Sequence, residues 1–201
     1  MGAVPDPKLE SYGDDATLVA ACLAGDRAAE RALFRTHRTR VHSTLWRVLG
    51  GGRELDDLIQ ETFLEVFRSL KGFRGEAKLS TWIDRIAVRV AWRWIAAKKA
   101  TPPPLELVDD VAAGGPSGES RAHAREGVRR LYEALAALPP MARVAFCLVE
   151  LDGRSIKEAA ALLGATTIAT KVRVFRARRE LIRRAAEDPV LAELVVAGGA
   201  R

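Results

Sequence analysis

The stretch SIKEAAALLGATTIATKVRVFRARRELIRR, Ser155 to Arg184, constrains this chain more than any other. Ser155 is a favourable helix N-cap, and Glu158 three residues on completes a capping box. Ile156, Ala159, Ala160 and Leu163 recur at helical spacing, and Gly164 can take the left-handed turn that closes a short helix. A second periodic run starts near Thr167, with Val172, Phe175, Leu181 and Ile182 among its apolar positions. A short helix, a tight turn and a longer helix describe a helix-turn-helix. Eight Lys and Arg stand against two Glu in this stretch, a net +6 that equals the formal charge of all 201 residues. The charge is concentrated on the helix that would enter a DNA major groove.

A pI near 9.7 points to a polyanionic partner, nucleic acid ahead of a membrane surface. The sequence has no apolar run long enough to span a bilayer, and its first residues, MGAVPDPKLESYGDD, have neither the basic start nor the apolar core of a signal peptide. Cys22 and Cys147 lie far apart on predicted apolar stripes and read as buried hydrophobes rather than a disulfide or metal pair. His37, His42 and His123 show no ligand spacing, so no metal site and no cofactor is expected.

In chain order, residues 1–13 read as a disordered terminus, followed by a helix over Leu18, Val19 and Cys22 that stops at Gly25. Asp26 caps a long helix to about Leu49, with Ala32, Leu33, Val41, Leu45 and Val48 inward and Arg31, Arg35, Arg38 and Arg40 on its other face; three glycines then break it. From Glu54 to about Leu70 a helix buries Leu55, Leu58, Ile59, Thr62, Val66 and Leu70. Its second face carries Asp56, Asp57, Gln60, Glu61 and Phe63, acidic within a basic protein. Acids favour a helix N-terminus on electrostatic grounds alone; Phe63 beside them fits a partner surface or simple packing.

After a loop from Lys71 to Leu79, Ser80 caps a helix from Thr81 to about Lys99. Arg85, Arg89, Arg93, Lys98 and Lys99 are interleaved there with Trp82, Trp92 and Trp94. Cations that track phosphates beside aromatics that stack bases suit a single strand, although tryptophans on a helix also serve as core. Residues 101–120 hold Pro102, Pro103, Pro104 and Pro116, four acids and no Lys or Arg, and read as a flexible acidic linker. Helices over about 121–138 and 141–151 then lead, through Asp152-Gly153, into the helix-turn-helix. Val190, Leu191, Leu194 and Val195 mark a last short helix that packs back or joins a partner.

Three motifs in this order resemble the extracytoplasmic-function (ECF) group of bacterial RNA polymerase sigma factors. DDLIQETFLEVFRSL (Asp56 to Leu70) is similar to the family's core-polymerase-binding helix. FRGEAKLSTWIDRIAVRVAWRW (Phe73 to Trp94) is similar to its −10 recognition loop and helix. LPPMARVAFCLVELDGRSIKEAAALLG, continued by KVRVFRARREL, is similar to its −35-binding module. The resemblance covers roughly residues 14–185 and implies an all-α chain of two small helical domains. These are a region 2 bundle over 14–100 and a region 4 helix-turn-helix over 121–186, joined by the linker 101–120 and followed by a tail, 187–201.

On this resemblance Asp56, Asp57, Gln60, Glu61 and Phe63 would dock on core polymerase. Phe73, Arg74, Lys78, Ser80, Thr81, Trp82, Arg85 and Arg89 would hold the −10 strand, the loop after Phe73 receiving a flipped base. Thr167, Lys171, Val172, Arg173, Phe175, Arg176, Arg178 and Arg179 would meet the −35 duplex. Arg176 would read a guanine and Phe175 a thymine methyl, while Lys171, Arg178 and Arg179 bind phosphate. Ile168, Ala169 and Thr170 stand where the family commonly has Gly-Thr-Val, and Val172 where it commonly has Ser, so the −35 preference is expected to differ. The implied protein is a cytoplasmic specificity subunit with no catalytic residues, no small-molecule substrate and no membrane insertion. Its partners would be core RNA polymerase, promoter DNA and an anti-sigma factor. The competing readings are a stand-alone helix-turn-helix regulator, which leaves the acidic face and the tryptophans unexplained, and an enzyme, for which no nucleophile–base arrangement, phosphate loop or metal cluster is present.

Overall fold

The computed structural model describes residues 12–98 and 118–198, and every regular element among them is helical. Residues 1–11 of the expected disordered terminus, most of the acidic linker and the last three residues lie outside the described residues; Tyr12, expected to be disordered, donates its hydroxyl to Asp26 at 3.1 Å.

Helix boundaries follow from local chemistry. Asp14 accepts a hydrogen bond from the Thr17 amide at 2.7 Å and opens α1 (Asp15–Leu23). Asp26 does the same for Ala28 at 2.7 Å and opens α2 (Arg27–Leu49), which Gly50 closes at φ 88°. α3 (Leu55–Ser69) buries the expected stripe, and a short 3₁₀ turn over Leu70–Gly72 leads to the loop before α4 (Leu79–Ala97). Ser80 does not cap α4: the helix starts at Leu79, two residues earlier than expected, and the Asp15 carboxylate of α1 accepts from the Leu79 amide at 3.0 Å. A long-range acid has replaced the local cap.

In the second half α5 (Gly118–Ala136) is followed by the Pro139-Pro140 break, with Pro140 at the first position of α6 (Pro140–Phe146). The helix expected to continue to Leu151 changes instead to a π-helical turn over Cys147–Leu151. α7 (Ile156–Leu163), α8 (Thr167–Ala185) and α9 (Pro189–Gly198) complete the chain. The Ser155–Glu158 capping box is present in full, and Gly164 sits at φ 61°. α9 packs back on α5 and α8, with Leu191 buried. No described helix is long and apolar enough to cross a membrane.

α2, α3 and α4 form one bundle, and α5 to α9 form another around α6 and α8. The sequence leads to the expectation of two separate cores. The halves are instead in contact: α6 and α7 pack on α4, and the π turn packs on α2. The end of α2 explains why. The last four carbonyls of a helix have no partner within it. Trp46 O is taken by the Gly50 amide at 2.7 Å, but Arg47 O accepts from the Tyr132 hydroxyl at 2.7 Å. Arg143, buried and without a carboxylate beside it among the described residues, donates to Val48 O at 3.2 Å and Leu49 O at 3.0 Å. Residues from α5 and α6 therefore complete a helix of the first half. Gly50 is required twice over, because a Cβ there would also lie 2.5 Å from the Tyr132 ring.

Cys22 and Cys147 are buried, and desolvation pushes the Cys147 thiol up to about 12. Burial also holds the His37 imidazole below its ordinary 6.5, with Asp15 and Asp84 opposing and Arg40 assisting. The unfolded chain therefore binds this proton more readily than the folded one, and folding stability should fall as pH drops below about 6.5. Thermal melts between about pH 7.5 and 5.5 test this. His37→Gln should flatten the acid-side slope relative to wild type, and an unchanged slope would place the sensitivity elsewhere.

Candidate nucleic-acid interface

The outer face of α3 is set by helical phase. Asp57, Gln60, Glu61 and Leu64 fall at i, i+3, i+4 and i+7, and all are exposed. Asp56 is exposed at the helix start, 3.7 Å from Arg38. Glu61 and Glu65 together hold Arg93 of α4, and Arg89 lies 3.9 Å from Glu65. Phe63 does not join this face. It is 3% exposed, with its ring 4.6 Å from that of Phe34 and 6.4 Å from that of Phe67. Its neighbours in phase are Ile59 and Val66, both inward; adjacency to the acids in sequence is not adjacency on the helix surface. Leu64 is the apolar group among the acids, 54% exposed. Its position seven residues after Asp57 is the signal that could have singled it out.

The loop before α4 encloses a cavity of about 310 Å³ lined by Phe73, Arg74, Glu76, Trp82 and Arg85 among others. Gly75 turns it at φ 73°. Phe73 and Trp82 meet edge to face, centroids 5.6 Å apart, so the loop is braced by an aromatic contact with the helix it precedes. Trp82, Arg85 and Arg89 follow at i, i+3 and i+7 along α4, none of them buried. The Arg85 Nε is a buried donor without a partner, beside this cavity. Such a group is costly unless something accepts from it. Ser80 and Thr81 are half-buried near the start of α4, and Arg74 and Lys78 are exposed. Trp92, at i+10, continues this line and is half-buried like Trp82, whereas Trp94 falls on another side of the helix, where Lys98 Nζ lies 4.6 Å from its ring centroid.

Along α8 the inward side chains are Thr170, Val174, Ala177, Leu181 and Ala185. Of the apolar positions read from the sequence, only Leu181 is among them. Val172, Phe175 and Ile182 point outward, as does Ile168. Ile168 (78% exposed), Val172 and Phe175 (60% exposed) lie at i, i+4 and i+7 and form an apolar line that water disfavours. Thr167, Lys171, Arg176 and Arg179 are exposed around it, and the last three have no ion pair among the described residues. Arg178, also exposed, donates to Glu150 at 2.6 Å. Arg173 is half-buried, with its Nη1 unpartnered. The first turn is free of acids, and Thr166 caps it by accepting from the Ala169 amide. A helix with this exposed surface can offer cations to phosphates and methyl-sized contacts to base edges.

Comparison with known proteins agrees with these motifs. Residues 33–101 match the family model for sigma-70 region 2, and residues 128–181 that for sigma-70 region 4. The ECF RNA polymerase sigma-E factor of Escherichia coli K12 is 30% identical over 176 residues, which cover 83% of this chain and 92% of that protein. The ECF RNA polymerase sigma factor SigM of Mycobacterium tuberculosis is 35% identical over 170 residues, covering 84% and 83%. Among solved structures, CnrH in complex with the cytosolic domain of CnrY has the same fold, with a TM-score of 0.58 at 23% identity over 87% of this chain and 98% of that one. RpoE in complex with the anti-sigma factor NepR from Bartonella quintana gives 0.53 at 19% identity, over 79% and 97%. With both regions matched in order and relatives of this identity aligned over nearly their whole length, the chain belongs to the ECF RNA polymerase sigma factors, which direct promoter-specific initiation of transcription.

Proposed function

We propose that three separate surfaces of this sigma factor divide the work. The acidic outer face of α3, with Asp56, Asp57, Gln60, Glu61 and Leu64, docks on core RNA polymerase. The loop from Phe73 and the Trp82–Arg85–Arg89 line of α4 hold the −10 element as a single strand. The outer face of α8, from Thr167 to Arg179, reads the −35 duplex. On this reading residues 14–100 and 121–186 are the functional domains and 101–120 the segment between them. The chain contributes no catalytic group, acts in the cytoplasm and is held in check by an anti-sigma factor; RpoE from Bartonella quintana is solved in complex with one.

The observation that carries the reading is the cavity beside Trp82. It unites an aromatic wall, a partnerless buried Arg85 donor and a half-open mouth. A nucleobase taken out of its stack presents a π-face and ring acceptors that suit those groups, and the site lies on the same helix line as Arg89, which can follow the phosphates. A stand-alone regulator would have no use for it. In vitro transcription with core polymerase on a genomic fragment library is the direct test. Start sites should cluster downstream of a shared two-part sequence, whereas tight duplex binding by the chain alone with no transcripts would favour the regulator.

Substitutions separate the three surfaces. Asp57→Arg should weaken capture of core polymerase and leave the melting temperature in place. Phe63→Ala should act on folding, with a loss of about 3–5 kcal/mol; equal stability of both variants would return Phe63 to the docking face. Trp82→Ala should cost about 1–3 kcal/mol in binding a single-stranded −10 oligonucleotide and nothing in binding a −35 duplex. Arg176→Ala should cost about 1–3 kcal/mol at one −35 base pair, read by a competition series of single-base variants. A uniform loss across all sequences would make Arg176 a phosphate contact.

A further inference from the structure

The side chains of α8 are distributed against the needs of packing. Its inner side holds, beside Val174 and Leu181, a completely buried Thr170, whose hydroxyl donates to Thr166 O at 3.0 Å, and the small Ala177. Its outer side holds Ile168, Val172 and Phe175, all exposed. Apolar area left in water is unfavourable, and Ile and Val are weaker helix formers than the straight-chain residues that suit a wet helix face. Neither the core nor the helix gains from these three residues where they stand. Their use lies with something that comes to this face.

Charge selects what that is. α8 carries no acid before Glu180. By helical phase Lys171 flanks the apolar line on one side and Arg176 on the other, and Arg179 continues it; none of the three has an ion pair among the described residues. An apolar protein surface would leave these cations unanswered. A duplex answers both features, because its phosphates meet the cations and its major groove holds one apolar group, the C5-methyl of thymine. Guanine, adenine and cytosine present donors and acceptors there. Ile, Val and Phe can neither donate nor accept, so opposite such an edge they would displace water and return nothing.

The dimensions agree. A recognition helix contacts base edges through its N-terminal residues, and Ile168 is the second residue of α8. From Ile168 to Phe175 the helix rises about 10 Å, which is about three base-pair steps. Resting on the −35 reading above, we propose that Ile168, Val172 and Phe175 together read thymine methyl groups, so that the −35 element of this protein carries a cluster of thymines within about four base pairs. Ile168 and Val172 thereby become specificity-determining residues, and the single methyl contact expected of Phe175 becomes one of three.

The test replaces thymine by uracil, which removes the methyl and keeps every hydrogen-bonding group. Core polymerase carrying the full chain first selects promoter fragments from a library randomised upstream of the −10 element, and the enriched −35 segment should contain the thymine cluster. Deoxyuridine in that segment alone should then weaken binding about fourfold for each contacted methyl, about 60-fold for three. Ile168→Ser/Val172→Ser alters two exposed positions and should leave the helical circular dichroism unchanged. It should bind the thymine and uracil fragments more nearly alike, with only the Phe175 share of the difference remaining. A selected −35 segment whose binding is indifferent to uracil would overturn the methyl contacts and leave the −35 reading standing. A uracil penalty of equal size in wild type and variant would move it away from Ile168 and Val172 and overturn the proposal as well. If no −35 sequence is enriched at all, the −35 reading itself falls, and the methyl contacts fall with it.

Discussion

The structure turns on the C-terminus of α2. Four carbonyls there lack intrahelical partners, and three are satisfied by side chains more than eighty residues away in sequence, Tyr132 and Arg143. An unpartnered buried carbonyl costs on the order of 1–3 kcal/mol, so this end of α2 cannot be both dry and alone. A cation is the favoured group at a helix C-terminus, where the peptide dipoles leave partial negative charge. Among the described residues Arg143 has no carboxylate partner; the helix end takes that place. Burial works against its charge, which makes the geometry of those carbonyl bonds the condition for keeping it.

From that junction the placement of the functional surfaces follows. α4 is buried on two sides, toward α2 and α3 and toward α6 and α7, which leaves a narrow strip for Trp82, Arg85 and Arg89. α8 packs through Thr170, Val174, Ala177 and Leu181, so its opposite face is open along its whole length. The acids are distributed with equal economy. Glu61 and Glu65 hold Arg93, and Glu150 holds Arg178, while Lys171, Arg176 and Arg179 are left for a polyanion. Ile168, Val172 and Phe175 form an exposed apolar line along that same open face.

Helix content, caps and turns were legible in the residues because their chemistry is local. Asp26, the Ser155–Glu158 box, Gly164 and the Pro139-Pro140 break all act within a few positions. Legibility ended where two faces of one helix were both apolar or both wet. Phe63 looked like part of the acidic face because it follows Glu61, but Phe34 of α2 claims its ring. Trp82, Trp92 and Trp94 looked like one stacking surface, and Trp94 departs from the line that Trp82 and Trp92 share with Arg85 and Arg89. Ser80 looked like a cap, and the cap is Asp15 from α1. For Phe63 and for the start of α4 the deciding partner lies on another helix.

What the chain's residues determined unaided is its all-helical character, the position of the helix-turn-helix, the concentration of positive charge on α8 and, through motif resemblance, the family. Tertiary structure alone decided that Asp84 is buried between two arginines, that Leu64 rather than Phe63 stands among the acids of α3, and that the halves are in contact. The physical reason is range. Capping, helical phase and net charge are properties of neighbouring residues, whereas the partner of a buried charge or an orphaned carbonyl is chosen by whichever distant segment folds against it.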